Sequence, residues 1–149
     1  MGRRLLLLAL VAACGCGRDK AKPPPKVQDR APGANALVEK PLYRIEPGQR
    51  TPCTPGALCE ARLAFSALGD YHINERYPFK FNADAIAGIT VDGAGTFARE
   101  DAKHGTMTIM FRAARRGPAK LSGTFKLSVC TEENCEIDEP KLAFDVAVD

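Results

Sequence analysis

From Ala61 the chain settles into a two-residue alternation. Ala61, Leu63, Phe65 and Ala67 interleave with Glu60, Arg62, Ala64 and Ser66. Met107, Ile109 and Phe111 interleave with Thr106, Thr108, Met110 and Arg112, and Leu121, Gly123, Phe125, Leu127 and Val129 with Ser122, Thr124, Lys126 and Ser128. Leu142, Phe144, Val146 and Val148 repeat the pattern against Ala143, Asp145 and Ala147. One apolar face at period two means half-buried strands. Tyr77, Phe79 and Phe81 add a shorter strand, which Pro78 assigns to an edge. Ile89 and Val91 suggest another. Pro55-Gly56, Asp92-Gly93, His104-Gly105 and Gly117-Pro118 are the turn signals between them, with Gly93-x-Gly95 read as a hairpin turn. No stretch reads as a helix. Short strands at this spacing predict an all-β chain folded as an antiparallel β-sandwich.

The first residues carry a different pattern. Arg3 and Arg4 precede an apolar run from Leu5 to Ala13, too short to span a bilayer, and Cys14 follows. Val11-Ala12-Ala13-Cys14 resembles the lipobox of bacterial lipoproteins, which implies cleavage before Cys14 and lipid on that residue. Residues 1–13 are thus expected to be a signal peptide. Residues 14–41, rich in Pro and charge and without apolar periodicity, read as a lipidated cysteine and a disordered tether. Residues 42–149 have the length of one small domain. The expected location is the periplasmic side of the bacterial envelope. Gly15, where an Asp would mark inner-membrane retention, favours the outer membrane.

Composition then excludes more than it assigns. Removing Arg3 and Arg4 takes the formal charge from +3 to +1, which says little about partners. No basic patch is interleaved with aromatics, so nucleic-acid binding has no support. No Ser/His/Asp set or paired carboxylates can be placed for hydrolysis, and no motif calls for a cofactor. Met107 and Met110 fall on opposite strand faces, which argues against a soft-metal cluster. His72 and His104 are isolated. His72 reads as a packed or hydrogen-bonded strand residue.

With Cys14 lipidated and Cys16 unassigned, Cys53, Cys59, Cys130 and Cys135 remain, as C-x5-C and C-x4-C. In an exported protein such pairs read first as disulfides. Four cysteines allow three connectivities, of which the local pairing is favoured. Cys59 shares the inward parity of Ala61 and Leu63 and reads as structural. Cys130 follows Val129 and so falls on the outward face, where its sulfur is expected to meet solvent. Three uses for the second pair stay open. It can staple a hairpin, exchange with other thiols, or join the first pair around zinc, although neither spacing is the common C-x2-C and no metal is favoured. Five carboxylates, Glu132, Glu133, Glu136, Asp138 and Glu139, crowd this loop and its exit. Nearby negative charge disfavours a thiolate. It suits a pair attacked by a partner's cysteine better than an attacking one, and it can orient a basic partner.

"GDYHINERYPFKF", residues 69–81, and the terminal "LSVCTEENCEIDEPKLAFDVAV" resemble the amino-terminal periplasmic domain of the thiol–disulfide interchange protein DsbD and the stand-alone disulfide bond corrector proteins, over roughly residues 58–148. The resemblance implies an immunoglobulin-like sandwich with Cys130 and Cys135 as a catalytic redox pair and Tyr71 as an aromatic near the site. The family's cap over the disulfide corresponds to residues 92–101, where Phe97 is the one aromatic. The spacing between the cysteines is one residue shorter than in the DsbD domain. The implied function is a membrane-anchored, cofactor-independent relay, expected to be monomeric, exchanging disulfides with a thioredoxin-like protein or a membrane electron donor. The alternative is a non-catalytic immunoglobulin-like binding module with two structural disulfides.

Overall fold

A computed structural model describes residues 36–49 and 51–149. The signal segment, Cys14, Cys16 and most of the expected tether lie outside these residues. Ten strands follow one another: β1 Val38–Lys40, β2 Tyr43–Pro47, β3 Cys59–Ala67, β4 His72–Ile73, β5 Lys80–Ala83, β6 Ile89–Arg99, β7 His104–Ala113, β8 Gly117–Cys130, β9 Cys135–Asp138 and β10 Lys141–Val148. All pairings are antiparallel, and the described residues contain no helix.

One sheet has the order β1-β2-β3-β7-β6. In the other, β8 is the spine. It pairs with β9 and β10 on one side and with β4 and β5 on the other. Taken in chain order, β2-β3-β7-β6 facing β5-β8-β10 gives the A-B-E-D and C-F-G sheets of an immunoglobulin-like sandwich. The alternation read in the sequence fills the interior. Leu63 and Phe65 of β3, Met107, Ile109 and Phe111 of β7, Leu121, Phe125, Leu127 and Val129 of β8, and Leu142 and Phe144 of β10 are all buried. Phe65 is the hub of an aromatic cluster, with Tyr43, Phe79, Phe97 and Phe125 around it at centroid distances of 5.7, 5.5, 6.1 and 6.3 Å.

Three expectations need correction. The tether does not extend to residue 41, because Val38–Lys40 pairs with Tyr43–Ile45 as β1. Gly93-x-Gly95 is not a hairpin turn. It lies inside β6, where the register against β7 shifts between Asp92 and Thr96. Gly93 and Gly95 take φ of 71° and 73° there, a β-bulge conformation open to glycine. The hairpin turn comes later, at residues 100–103, before β7 opens at His104. The aromatic strand begins at Lys80, past Pro78, and β5 is an edge as expected.

Cys53 and Cys59 are disulfide-bonded and buried, at 3% and 2% exposure. Their loop is tied down on several sides. Gly56 N–H donates to the Ala113 carbonyl (2.9 Å), Arg112 Nη1 to the Gly56 carbonyl (3.0 Å), and Asp149 N–H to the Cys53 carbonyl (2.7 Å). The staple therefore joins the entry of β3, the end of β7 and the final residue.

Candidate functional site

The second pair sits where β8 turns into β9. Cys130 and Cys135 are direct strand partners and are disulfide-bonded. The turn between them is closed by Thr131. Its N–H donates to the Asn134 carbonyl (2.8 Å), and its Oγ1 accepts the N–H groups of Glu133 (3.3 Å) and Asn134 (3.2 Å). A Thr hydroxyl that accepts from the following backbone explains why this four-residue connection holds one shape.

The exposure of the two sulfur-bearing residues reverses the expectation. Cys130 has the outward parity predicted for it, yet it is only 6% exposed, and Ser128 on the same face is fully buried. Asn74 accounts for part of this cover: its Nδ2 donates to Ser128 Oγ at 3.1 Å and its N–H to the Ser128 carbonyl at 3.1 Å. His72 is the β4 partner of Cys130. The exposed member of the pair is Cys135, on β9, which has no second strand beside it among the described residues.

Both aromatics expected near the site pack against the core. Tyr71 directly precedes β4, is half-buried and packs against the core. Phe97, half-buried, is paired with Met107 across β6 and β7 and stacks on Phe79 at 4.2 Å and 13°, against the aromatic cluster of the core. The DAKH turn beside β7 holds His104, whose Nδ1 contacts Asp101 Oδ2 at 2.8 Å. Hydrogen bonding to His104, then to the Lys103 N–H, lowers the Asp101 carboxyl to about 2. This turn is a local surface structure. No cluster of three or more metal-ligating side chains occurs among the described residues.

The acidic segment divides into two groups. Glu139 pairs with Lys126 at 2.9 Å, which raises the Lys126 ammonium. Asp138 points toward the opposite sheet. Its Oδ2 accepts from Tyr43 Oη (2.7 Å) and Lys40 Nζ (2.5 Å). Partial burial pushes the Asp138 carboxyl up, but the bonds from Lys40 and Tyr43 outweigh this and hold it below the usual carboxylate range. Burial, then the bond to Asp138, raises the Tyr43 phenol well above its ordinary value. Glu132, Glu133 and Glu136 take part in no ion pair among the described residues and are exposed. The clamp from Asp138 to Tyr43 and Lys40 was not visible in the sequence. Its only signal is that Asp138 shares the inward parity of Leu127, its strand partner.

A shallow groove of about 440 Å³ lies at the other edge of the sandwich, lined by Ile73, Tyr77, Phe79, Phe97 and Arg99 among others. The ion pair of Arg99 with Glu75 sits among the residues that line it.

No family model matches the chain, and no curated protein matches it. Among solved structures it is similar to one described as "Crystal structure of yeast GGA1_GAE domain-P21", with a TM-score of 0.44 and 11% identity, over 74% of this chain and 96% of that one. At that level the likeness carries no functional argument. The fold rests on the strand order, and the site on its own geometry.

Proposed function

We propose that this protein is a binding module of the bacterial envelope, an immunoglobulin-like sandwich stapled by two disulfides and anchored through lipid on Cys14. One observation carries the reading. Cys130 is buried at 6% and lies directly opposite Cys135, in a hairpin already closed by Thr131. A disulfide in that position fixes the shape of an exposed edge. Its acidic surroundings disfavour the thiolate that an exchanging pair must release. The lipobox at Val11–Cys14 supports the anchor, and the tether supplies reach from the membrane.

A second reading is favoured by the exposure of Cys135. In it the pair relays electrons, as the resemblance to the DsbD amino-terminal domain implies. The thiolate of a thioredoxin-like partner or a membrane electron donor attacks Cys135 Sγ, and the Cys130–Cys135 bond breaks. Cys130 leaves as a thiolate and takes up a proton. The partner's second cysteine then attacks the mixed disulfide and frees Cys135. The pair gains two electrons and the partner ends oxidised.

One titration separates the two. The oxidised protein is equilibrated across a series of thiol redox buffers, and each cysteine is read by alkylation and mass spectrometry. The module reading expects both disulfides to persist until the potential falls below about −300 mV, the range of structural bridges. It also expects no mixed disulfide from Cys130→Ala or Cys135→Ala with a thioredoxin-like protein. Selective reduction of Cys130–Cys135 at a higher potential, with a trapped partner, overturns it in favour of the relay.

A further inference from the structure

Among the described residues, the hairpin leaves one stretch of backbone without a strand partner, and the alternation of the ladder fixes its hydrogen-bond phase. In an antiparallel ladder, hydrogen-bonded and non-hydrogen-bonded pairs alternate. The Thr131 N–H bonded to the Asn134 carbonyl sets a bonded pair at the turn. The next pair, Cys130 with Cys135, is therefore non-bonded, and so is Ser128 with Ile137. The bond from the Asn74 N–H to the Ser128 carbonyl agrees, because it shows the main chain of Ser128 turned toward β4 and away from β9. It follows that the N–H and carbonyl groups of Cys135 and Ile137 point away from β8, toward the open side of β9.

This opening is bounded. At Glu139 the outward N–H is taken by Asp138 Oδ1 (2.8 Å). Beyond Pro140, β10 carries exposed Lys141 and Asp145 along its edge, the usual protection of a sheet border. Between these limits Ile137 is 62% exposed, on the same face as Cys135. Glu132, Glu133 and Glu136 surround the segment without an ion pair among the described residues, whereas Asp138 and Glu139 are neutralised by Lys40 and Lys126.

We propose that β9 is a docking edge that takes an extended, basic segment of a partner protein by strand addition. The main-chain groups of Cys135 and Ile137 set the register, an apolar partner residue covers Ile137, and Lys or Arg side chains meet the three glutamates. Strand addition draws affinity from main-chain bonds and specificity from alternate side chains. The disulfide lowers the cost of ordering the edge before the partner arrives. A second copy of this chain is a poor occupant, since edge-to-edge pairing would bring two sets of glutamates together. This inference rests on the binding-module reading and names its surface and partner.

The test uses the full-length chain, isotope-labelled and in detergent, with both disulfides confirmed intact by mass. The probe is a short end-blocked peptide of alternating Lys and Val. Its controls are the same length in Glu and Val, and the Lys–Val peptide N-methylated at alternate amides. At a peptide concentration about ten times Kd, exchange of the Cys135 and Ile137 amides is expected to slow about tenfold. The Glu–Val and N-methylated peptides should leave both amides unprotected. Replacing Glu132, Glu133 and Glu136 with Gln should weaken binding by roughly two- to five-fold per charge. These positions are exposed, so the fold should survive the changes. The proposal is overturned by absence of binding, by equal binding of either control, or by shifts confined to the groove at Tyr77 and Arg99. Protection that grows with protein concentration alone would show self-pairing and also overturn it. Because the disulfides stay closed throughout, loss of docking leaves the staple reading standing, and selective reduction in the redox titration leaves the docking result standing.

Discussion

Replacing Asp138 with Ala removes the polar clamp that joins the edges of the two sheets. Asp138 lies on β9 and Tyr43 on β2, so their 2.7 Å bond crosses from one sheet to the other. Tyr43 is fully buried, and the variant leaves its hydroxyl without that acceptor. A hydrogen bond to a charged group contributes about 1.5–3 kcal/mol. The Lys40 pair adds under about 1 kcal/mol, since 43% of the Lys40 side chain is exposed and solvent screens the charge. Asp138→Ala is therefore expected to cost about 2–3 kcal/mol, and Lys40→Ala less than about 1 kcal/mol. Tyr43→Phe combined with Asp138→Ala should cost less than the two single changes together, because neither polar partner is then stranded. Urea unfolding of the oxidised protein at neutral pH reads these values as midpoint shifts at constant slope. The pH dependence gives a second check. The folded-state Asp138 carboxyl is held below its unfolded value of about 3.9, so its contribution is complete above that pH and fades as pH falls through the folded value. Tyr43 is shifted the other way, so its contribution is complete below about pH 10 and is lost as pH rises further. The gap between wild type and Asp138→Ala should then narrow in acid. Equal costs for Lys40→Ala and Asp138→Ala, or a gap that persists unchanged far below pH 3.9, would refute the clamp.

Replacing Cys53 and Cys59 together with Ala should cost about 2 kcal/mol, the loop-closure value for so short a bridge, and lower Tm by roughly 8 °C in calorimetry. Gly95→Ala should destabilise more than Gly93→Ala in thermal unfolding. Both residues have positive φ, but a Cβ at Gly95 meets Met107 Sδ at 2.6 Å and the Thr108 carbonyl at 3.0 Å, while one at Gly93 meets nothing within 4 Å. Equal losses at the two glycines would show that conformation alone decides. Cys14→Ser should leave unprocessed precursor without acyl label, and normal processing with membrane retention would reject the lipoprotein reading.

The sandwich was legible because its strands are long and half-buried. The inward positions of β3, β7, β8 and β10 follow from parity alone, down to Cys59 beside Ala61. Tyr43 and Ile45 carry the same signal in β2, but the run is short and follows a polar, Pro-rich stretch that masks the start of the domain. The bulge in β6 is not legible in the sequence, because glycines at positive φ serve turns and bulges alike, and only the partner strand distinguishes them. Cys130 shows a different limit. Its parity follows from the alternation along β8, but a face is exposed only if nothing crosses it. Asn74, fifty-four residues before Ser128, covers part of that face through its bond to the serine hydroxyl. Burial of this kind depends on a non-local segment and leaves no trace in the periodicity.

The exposure of Cys135 has the opposite origin, and it explains how the sandwich core can position the candidate edge. Leu127 faces Asp138 in β9, and Thr124 faces Lys141 in β10, in a single unbroken register along β8. β9 and β10 are thus one edge strand interrupted at Glu139–Pro140. The Phe125 N–H still donates to the Pro140 carbonyl at 2.9 Å, but Pro140 has no N–H to return. The loss of one rung separates the strand without moving it off β8. Beyond the break, Leu142, Phe144 and Val148 anchor the strand in the core. Before it, the Cys130–Cys135 bond and the Asp138 clamp hold β9 at both ends. The backbone of Cys135 and Ile137 is fixed by contacts to β8 and to the opposite sheet, while its other side has no strand partner among the described residues. A staple placed there stabilises little core of its own, since Cys135 and Ile137 are exposed. What it defines is the geometry of the edge.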